Sequence, residues 1–199
     1  KDSIDQYEED LDEVTKSCHY RTLDLSNHNN IEDLSLPFDS LDALICSQGI
    51  VAYKRKEFEM DTFKRVVDLN LNSIMASCTY FHKTLSKSKG SIVIIGSGAS
   101  YKAVKGNPAY SASKGGLLTL IRTLADAWAT DNIRVNGIAP GFVATNLIDS
   151  QRNRPEHLSS KKKPNFLLKQ LASSVLKRGK KPDEIAARVI EAIQANSFY

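Results

Sequence analysis

The stretch SIVIIGSG, residues 91–98, decides the fold class. Its first five residues are mostly apolar and do not alternate with polar ones, which is typical of a parallel strand covered by helices on both faces. The strand then ends in Gly96-Ser97-Gly98. Because ligands in such sheets bind beyond the carboxyl ends of the strands, Ser97 stands where chemistry is expected. The stretch predicts an α/β protein with a doubly wound parallel sheet.

Helical and strand patterns alternate on both sides of this stretch. DALIC, residues 42–46, is a second apolar run, and Gly, Pro and Asn separate it from longer segments with helical periodicity. We predict strands at residues 19–23, 43–46, 91–95 and 133–138. We predict helices at residues 3–17, 31–34, 61–86 and 109–129, and two more within 154–176 and 182–195. This alternation predicts a single α/β domain over residues 1–199.

The composition is that of a soluble globular protein. The chain has 199 residues, 41% of them apolar and 25% charged, with a net charge of +4. No apolar run approaches the roughly 20 residues of a membrane span, so we expect a cytoplasmic protein without a transmembrane segment. The cysteines and histidines show no ligand spacing, so no metal site is predicted. The basic stretch 152–181 contains a single Phe, Tyr or Trp residue, Phe166, which argues against nucleic-acid binding.

The pattern Tyr-x-x-x-Lys occurs twice, at Tyr101 and Lys105 and again at Tyr110 and Lys114. Gly-Asn-Pro follows the first pair and stops a helix. After Tyr110, apolar residues recur near the helical period, which predicts Tyr110 and Lys114 one turn apart on one face. A phenol has an ordinary pKa of about 10, and a neighbouring ammonium lowers that pKa toward neutral pH. Tyr110 and Lys114 are therefore the candidate proton-transfer pair.

Five segments, in order along the chain, resemble the short-chain dehydrogenase/reductase family. YSASKGG at residues 110–116 is similar to the family's active-site segment, and Ser97 precedes Tyr110 at the family's spacing. The other similar segments are LDLS at 23–26, DLNLNS at 68–73 and RVNGIAPGFVATNL at 134–147. The resemblance runs from about residue 20 to residue 145.

This resemblance implies a Rossmann-like sheet and hydride transfer between C4 of a nicotinamide and a secondary alcohol or ketone, with NAD or NADP as cofactor. The catalytic residues that it implies are Asn70, Ser97, Tyr110 and Lys114, and Asn70 supports a water-mediated proton relay. The cofactor contacts that it implies are Asp24, Leu25, Ser47, Gly49, Tyr110, Lys114, Pro140, Gly141, Val143 and Thr145. Residues 146–178 take the place of the substrate-binding segment. A homodimer or homotetramer is expected through the helices at 61–86 and 109–129.

The chain departs from the family pattern in three places. The family's Asn-Asn-Ala-Gly is Cys46-Ser47-Gln48-Gly49 here, so Gln48 either crowds the adenosine ribose or hydrogen-bonds to it. The glycine-rich cofactor loop has no match, and in the strand order 3-2-1-4-5-6 the first two strands are then missing. The chain also stops where the last strand would start. We therefore expect a longer protein, with an intact mass above 22.0 kDa.

Two other functions stay open at this point. A degenerate family member would bind a dinucleotide or a protein partner without turnover, which the altered Ser47-Gln48 and the missing loop favour. The retained Ser97, Tyr110 and Lys114 argue against it. The third possibility is an interaction module that uses the basic stretch 152–181.

Overall fold

The computed structural model describes residues 21–27, 29–34, 36–53, 55–144 and 179–195. The strands in this part of the chain are β1 (Ala43–Cys46), β2 (Ser91–Ile95) and β3 (Arg134–Ile138). The α-helices are α1 (Asn29–Glu32), α2 (Met60–Val67), α3 (Ser73–Ser88), α4 (Pro108–Ala127) and α5 (Pro182–Gln194). Short 3₁₀ turns lie at Lys56–Phe58, Gly98–Ser100 and Ala129–Asp131, and a π-helical turn lies at Asp68–Asn72.

The sheet is parallel with the order β1-β2-β3. Cys46 pairs with Ile94, and Ile95 pairs with Ile138, so the carboxyl ends of the strands meet at one edge. Strand β2 is central and buried, as its apolar sequence predicts. Ile92 and Ile94 pack with residues of α3 and α4 in the main core, and Val93 points to the opposite face. The described residues thus form the predicted parallel α/β sheet.

The strand predicted at residues 19–23 is wrong for its described part. Residues 21–23 belong to none of the strands in the described chain. The physical reason is that a strand needs a hydrogen-bonding neighbour, and the sheet of the described residues offers these residues none. The predicted helices at 3–17 and 154–176 lie outside the described residues.

Helix α4 lies against the sheet through residues spaced three and four apart. Leu117, Ile121 and Leu124 are buried in the main core, as the helical periodicity predicts. Gly137 in β3 permits the close approach, since a Cβ there would lie 2.7 Å from Cδ1 of Ile121. Pro108 begins the helix, where a missing N–H group costs no hydrogen bond.

The long helix predicted at residues 61–86 is interrupted. Helix α2 ends at Val67, and the π-helical turn Asp68–Asn72 separates it from α3. Such turns are rare and often occur at functional sites. Asn70 lies in this turn and is fully buried. The interruption therefore falls on one of the residues that the family resemblance implies to be catalytic.

Helix α5 is fixed at both ends. Its first turn is capped by Glu184, whose Oε1 accepts from the Lys181 N–H at 2.9 Å. At the other end, the Arg134 guanidinium donates to the carbonyls of Ala192 at 3.4 Å, Ile193 at 2.7 Å and Ala195. The predicted helix at 182–195 is confirmed. Within the described residues, no helix combines the length and apolar character needed to span a membrane.

Candidate active site

Lys114 lies at the centre of the candidate site. Its side chain is 5% exposed, and its Nζ donates to the carbonyl of Ile95, at the carboxyl end of β2, over 2.9 Å. The same Nζ lies 5.9 Å from the centroid of the Tyr110 ring, one helical turn earlier on α4. Burial lowers the pKa of Lys114 from 10.5 to about 8, because a charged amine loses hydration inside the protein. At neutral pH the lysine is still mostly protonated, beside the tyrosine ring.

Ser97 follows β2 directly and caps the 3₁₀ turn Gly98–Ser100. Its backbone is extended, and its Oγ accepts from the Ala99 N–H at 3.1 Å. A hydroxyl oxygen can accept and donate at the same time, so the Ser97 O–H still has a proton to donate. Ser97 therefore presents a donor at the carboxyl edge of the sheet, where a reacting oxygen could be bound.

The turn after β2 is bonded to both neighbouring parts of the site. The Gly98 N–H donates to the carbonyl of Pro140 at 2.9 Å, beyond β3. The Ser100 hydroxyl donates to the carbonyl of Lys114 at 2.7 Å, on α4. The structure thus brings Ser97, the Tyr110–Lys114 turn of α4 and the Pro140-Gly141 loop to one edge of the sheet.

Asn70 reaches this edge from the π-helical turn. Its Oδ1 accepts from the Ile50 N–H at 2.7 Å, and its Nδ2 donates to the Ile50 carbonyl at 2.9 Å and to Ser113 Oγ at 3.2 Å. The carboxamide is therefore used to hold the loop after β1 against α4. A role of the Asn70 side chain in a proton relay would have to act through this arrangement.

Gly49 belongs to the loop that Asn70 holds. A Cβ at this position would lie 3.3 Å from Asn70 Oδ1 and 3.7 Å from Lys114 Nζ, so the absent side chain lets the loop lie close to the lysine. Ser47 is exposed beside it. Gln48 was predicted either to crowd the adenosine ribose or to hydrogen-bond to it. In the structure its Nε2 donates to Ser73 Oγ at 3.3 Å, at the start of α3.

Asp24 and Leu25 lie in a turn before α1. Asp24 Oδ1 accepts from the N–H of Ser26 at 3.0 Å and from its hydroxyl at 2.7 Å. These hydrogen bonds lower the pKa of the Asp24 carboxyl, and its backbone carbonyl accepts from Asn30 at 2.8 Å. Leu25 is half-buried. These hydrogen bonds to Asp24 come from Ser26 in this turn and from Asn30 in α1, so they do not link it to the edge that carries Lys114.

The loop after β3 is held at its far end by Lys180. Val143 and Lys180 form a parallel bridge, in which Lys180 N–H donates to Phe142 at 2.9 Å and Ala144 N–H donates to Lys180 at 2.8 Å. Pro140 and Gly141 lie on the strand side of this bridge. Thr145 and the predicted substrate segment 146–178 lie outside the described residues. The bridge brings together Val143, which precedes that segment in the sequence, and Lys180, which follows it.

The other tyrosine–lysine pair is not part of this arrangement. Tyr101 ends the 3₁₀ turn and is 61% exposed, and Lys105 lies in an exposed turn before α4. The two residues share no helix, as the turn residues after them predict. This pair provides a control for experiments on Tyr110 and Lys114.

Sequence reasoning missed Glu57, which is fully buried below the first turn of α4. Its carboxylate accepts from the N–H of Tyr110 at 2.9 Å. In the sequence Glu57 follows Arg55 and Lys56 and is two residues from Glu59, a run of charges typical of an exposed turn. No local signal distinguishes it from its exposed neighbours.

A family model described as short chain dehydrogenase matches residues 1–156. The chain belongs to the short-chain dehydrogenase family. This family member is 30% identical over 184 residues to an acetoacetyl-CoA reductase of Acinetobacter sp. (strain RA3849), covering 88% of the chain and 69% of the relative. It is 33% identical over 103 residues to a chloroplastic tropinone reductase homolog of Arabidopsis thaliana, covering 51% of the chain and 32% of that relative. The chain therefore spans between about a third and about two thirds of these two curated relatives.

Solved structures agree with the fold of this short-chain dehydrogenase. A protein assigned as a 2-deoxy-D-gluconate 3-dehydrogenase of Agrobacterium tumefaciens, with bound NADP, superposes with a TM-score of 0.68. The two chains are 25% identical, and the match covers 86% of this chain and 67% of the other. The Rossmann-like fold predicted from the sequence is thereby confirmed.

The described residues of this short-chain dehydrogenase fit the ribose and nicotinamide end of a dinucleotide. The Lys114 ammonium has three N–H donors, and the hydrogen bond to Ile95 uses one of them. The glycine at position 49 lets the backbone lie close to this ammonium, and a Cβ at Gly141 would meet nothing within 4 Å. The sequence has no match to the glycine-rich loop, so we assign no residue to the pyrophosphate. Among the described residues, no cluster of His, Cys, Asp and Glu could hold a metal ion.

Proposed function

We propose that this protein is an NAD- or NADP-dependent oxidoreductase that interconverts a secondary alcohol and a ketone. The observation that carries the proposal is the position of Lys114. It is a buried ammonium that is hydrogen-bonded to the end of β2 and lies 5.9 Å from the Tyr110 ring. Burying a lysine ammonium is costly, and buried ionisable groups with shifted pKa values cluster at functional sites.

The Tyr110 hydroxyl gives a proton to the ketone oxygen in the reductive direction and takes one from the alcohol in the other. The positive charge of Lys114 stabilises negative charge on the phenol oxygen when that proton leaves. Ser97 donates a hydrogen bond to the same substrate oxygen and stabilises the charge that develops there. The cofactor, when bound, supplies or accepts the hydride.

The chain's own residues also orient the cofactor. Lys114 binds the ribose hydroxyls beside the nicotinamide with the donors that Ile95 does not use. Ser47, Gly49, Pro140, Gly141, Val143 and Thr145 line the ribose and nicotinamide, and Asp24 and Leu25 meet the adenine. Asn70 acts by holding the loop that contains Gly49, through its two hydrogen bonds to Ile50.

The substrate class is supported by the names of the relatives. Acetoacetyl-CoA reductase and the 2-deoxy-D-gluconate 3-dehydrogenase are named for reactions at a ketone or a secondary hydroxyl. In this proposal the substrate wall is assigned to residues 146–178, which lie in the sequence between the bridged residues Val143 and Lys180. The proposal extends to a homodimer or homotetramer that packs through residues 61–86, which include most of α2 and α3, and through α4.

Tyr110→Phe tests the proposal, and Tyr101→Phe is its matched control. We expect Tyr110→Phe to lose ketone reduction by at least about 100-fold, since general acid catalysis contributes about 10²- to 10⁴-fold. The dissociation constant of NADH or NADPH, measured by fluorescence titration of the full-length protein, should stay within twofold of the wild-type value. Tyr101→Phe should match the wild type in both measurements. Cofactor binding without turnover by the wild type, over a panel of ketones, would instead identify a binding protein.

A further inference from the structure

Glu57 is a buried carboxylate that the proposed function does not use. It lies in the 3₁₀ turn Lys56–Phe58 and has no exposed surface, whereas its neighbour Glu59 has a side chain that is 60% exposed. Removing a carboxylate from water costs several kcal/mol unless hydrogen-bond donors replace the water. Its burial therefore calls for an explanation in its contacts.

Three neutral N–H donors converge on the two oxygens of Glu57. Oε1 accepts from the Ala52 backbone N–H at 3.0 Å and from Asn107 Nδ2 at 3.0 Å, and Oε2 accepts from the Tyr110 backbone N–H at 2.9 Å. Asn107 also donates to the carbonyl of Ala52 at 2.8 Å. Glu57 thus joins the loop after β1 to the first turn of α4.

Glu57 acts as the cap of α4 in place of the usual residue. Asn107 occupies the N-cap position but makes no side-chain cap hydrogen bond, and Pro108 at the next position has no N–H. A cap normally accepts from the N–H of the second or third helical residue, and here Glu57 accepts from the third, Tyr110. Its negative charge also interacts favourably with the positive end of the 20-residue helix.

Glu57 also holds the loop after β1, which lies against Lys114. Asn70 holds that loop at Ile50, and Glu57 holds it two residues later at Ala52. The rest of α4 is fixed by apolar residues such as Leu117 and Ile121 in the main core. In its first turn, Ala109 is buried in a second apolar cluster with Ala52 and Val66, and Tyr110 packs against that cluster. The backbone N–H of Tyr110 is held by Glu57.

We propose that Glu57 is a positioning residue that fixes Tyr110 for proton transfer. The inference rests on the proposed function, because it concerns the geometry of that reaction. Catalytic geometry is sensitive to small displacements, and a shift of about 1 Å can cost about 100-fold in rate. The Tyr110 hydroxyl can hold its position only if the backbone that carries it is held, and Glu57 binds that backbone directly.

Glu57→Gln separates the contact of the carboxylate with Tyr110 from its contacts with Ala52 and Asn107. A glutamine has one acceptor oxygen and one NH₂ group, and its oxygen is best placed toward Ala52 and Asn107, which present two donors. The NH₂ group then faces the Tyr110 N–H, donor against donor. The loss therefore falls on Tyr110 and spares the loop after β1.

The experiment compares the full-length wild type with Glu57→Gln, and uses Glu59→Gln as the matched control. We expect kcat for ketone reduction to fall about 10- to 100-fold in Glu57→Gln, with KM and the dissociation constant of the reduced cofactor within twofold. The solvent deuterium isotope effect on kcat should increase, because a displaced tyrosine makes proton transfer more rate-limiting. Hydrogen exchange at the Tyr110 amide should be at least tenfold faster. Glu59→Gln should match the wild type throughout.

If Glu57 only stabilises the fold, soluble Glu57→Gln protein would have a kcat and a cofactor-binding capacity that are lowered together, with an unchanged isotope effect, and that result would overturn the inference. The inference would also be overturned if the wild type is active and Glu57→Gln has the same kcat. If Glu57→Gln does not fold, Glu57→Asp replaces it: the shorter side chain cannot reach all three donors, and wild-type kcat in that variant would overturn the inference. A wild type without turnover would overturn the proposed function and the inference with it.

Discussion

The burial of Lys114 predicts how stability changes with pH. The pKa of this lysine is about 8 in the folded protein and 10.5 when it is exposed, so the unfolded chain binds the proton more tightly. The free energy of unfolding therefore increases as pH rises from about 8 to 10.5. One pKa unit corresponds to about 1.4 kcal/mol, which gives about 3 kcal/mol for the whole interval and about 1.3 kcal/mol between pH 7 and pH 9.

Lys114→Met removes this titration and keeps a side chain of similar length. The variant also leaves the Ile95 carbonyl without its donor, so the prediction concerns the pH dependence and not the stability at one pH. Both proteins should carry Tyr110→Phe, so that a change in tyrosine ionisation cannot contribute. Urea unfolding at pH 7, 8 and 9, at one protein concentration, measures the free energy of unfolding of each.

We expect the protein with Lys114 to gain about 1.3 kcal/mol on the Lys114→Met protein between pH 7 and pH 9. A difference that stays constant over this range would refute the reasoning, because it would mean that burial does not shift the lysine pKa. A difference of the opposite sign would mean that an anionic partner stabilises the ammonium in the folded protein.

Two further predictions concern stability and are measured by urea unfolding. Arg134→Met leaves the last carbonyls of α5 without a charged donor and should cost about 2 kcal/mol, whereas Arg188→Met, in an exposed pair, should cost under about 0.5 kcal/mol; equal costs would contradict this. A Cβ at Gly90 would lie 2.7 Å from the Leu41 carbonyl oxygen, so Gly90→Ala should cost about 1–3 kcal/mol. A Cβ at Gly115, inside α4, would meet nothing within 4 Å, so Gly115→Ala should increase the free energy of unfolding by about 0.5–1 kcal/mol. Increased stability in both variants would refute the packing argument.

Local patterns were sufficient for strands β1 and β2 and for the placement of Tyr110 one helical turn from Lys114, but not for residues 21–23. Strands β1 and β2 have the predicted bounds because an apolar run between turn residues marks a buried strand. The choice of Tyr110 over Tyr101 was also local, since Gly-Asn-Pro separates the two segments. The helical periodicity predicted that Tyr110 and Lys114 lie one turn apart on α4, and in the structure Lys114 Nζ lies 5.9 Å from the Tyr110 ring centroid.

Features that depend on distant residues could not be predicted. The π-helical turn interrupts a segment whose periodicity favours one helix, and Asn70 in that turn is held by Ile50, 20 residues away in the sequence. Glu57 has the sequence context of an exposed charge, and its burial depends on donors up to 53 residues away. Gln48 bonds to Ser73, 25 residues on, which neither predicted arrangement included. In each case the partner is brought close only by the fold.

The central claim is hydride transfer between a nicotinamide and a carbonyl carbon, with Tyr110 as the proton donor. The most direct test uses reduced cofactor with deuterium at both hydrogen positions of nicotinamide C4. This cofactor is incubated with the full-length protein and a ketone, and the alcohol is analysed by mass spectrometry. The account predicts deuterium on the carbinol carbon of the product. The wild type and Tyr101→Phe form this product at the same rate, and Tyr110→Phe forms it at least about 100-fold more slowly. An alcohol product without deuterium, or the same labelled product from Tyr110→Phe at the wild-type rate, would contradict it.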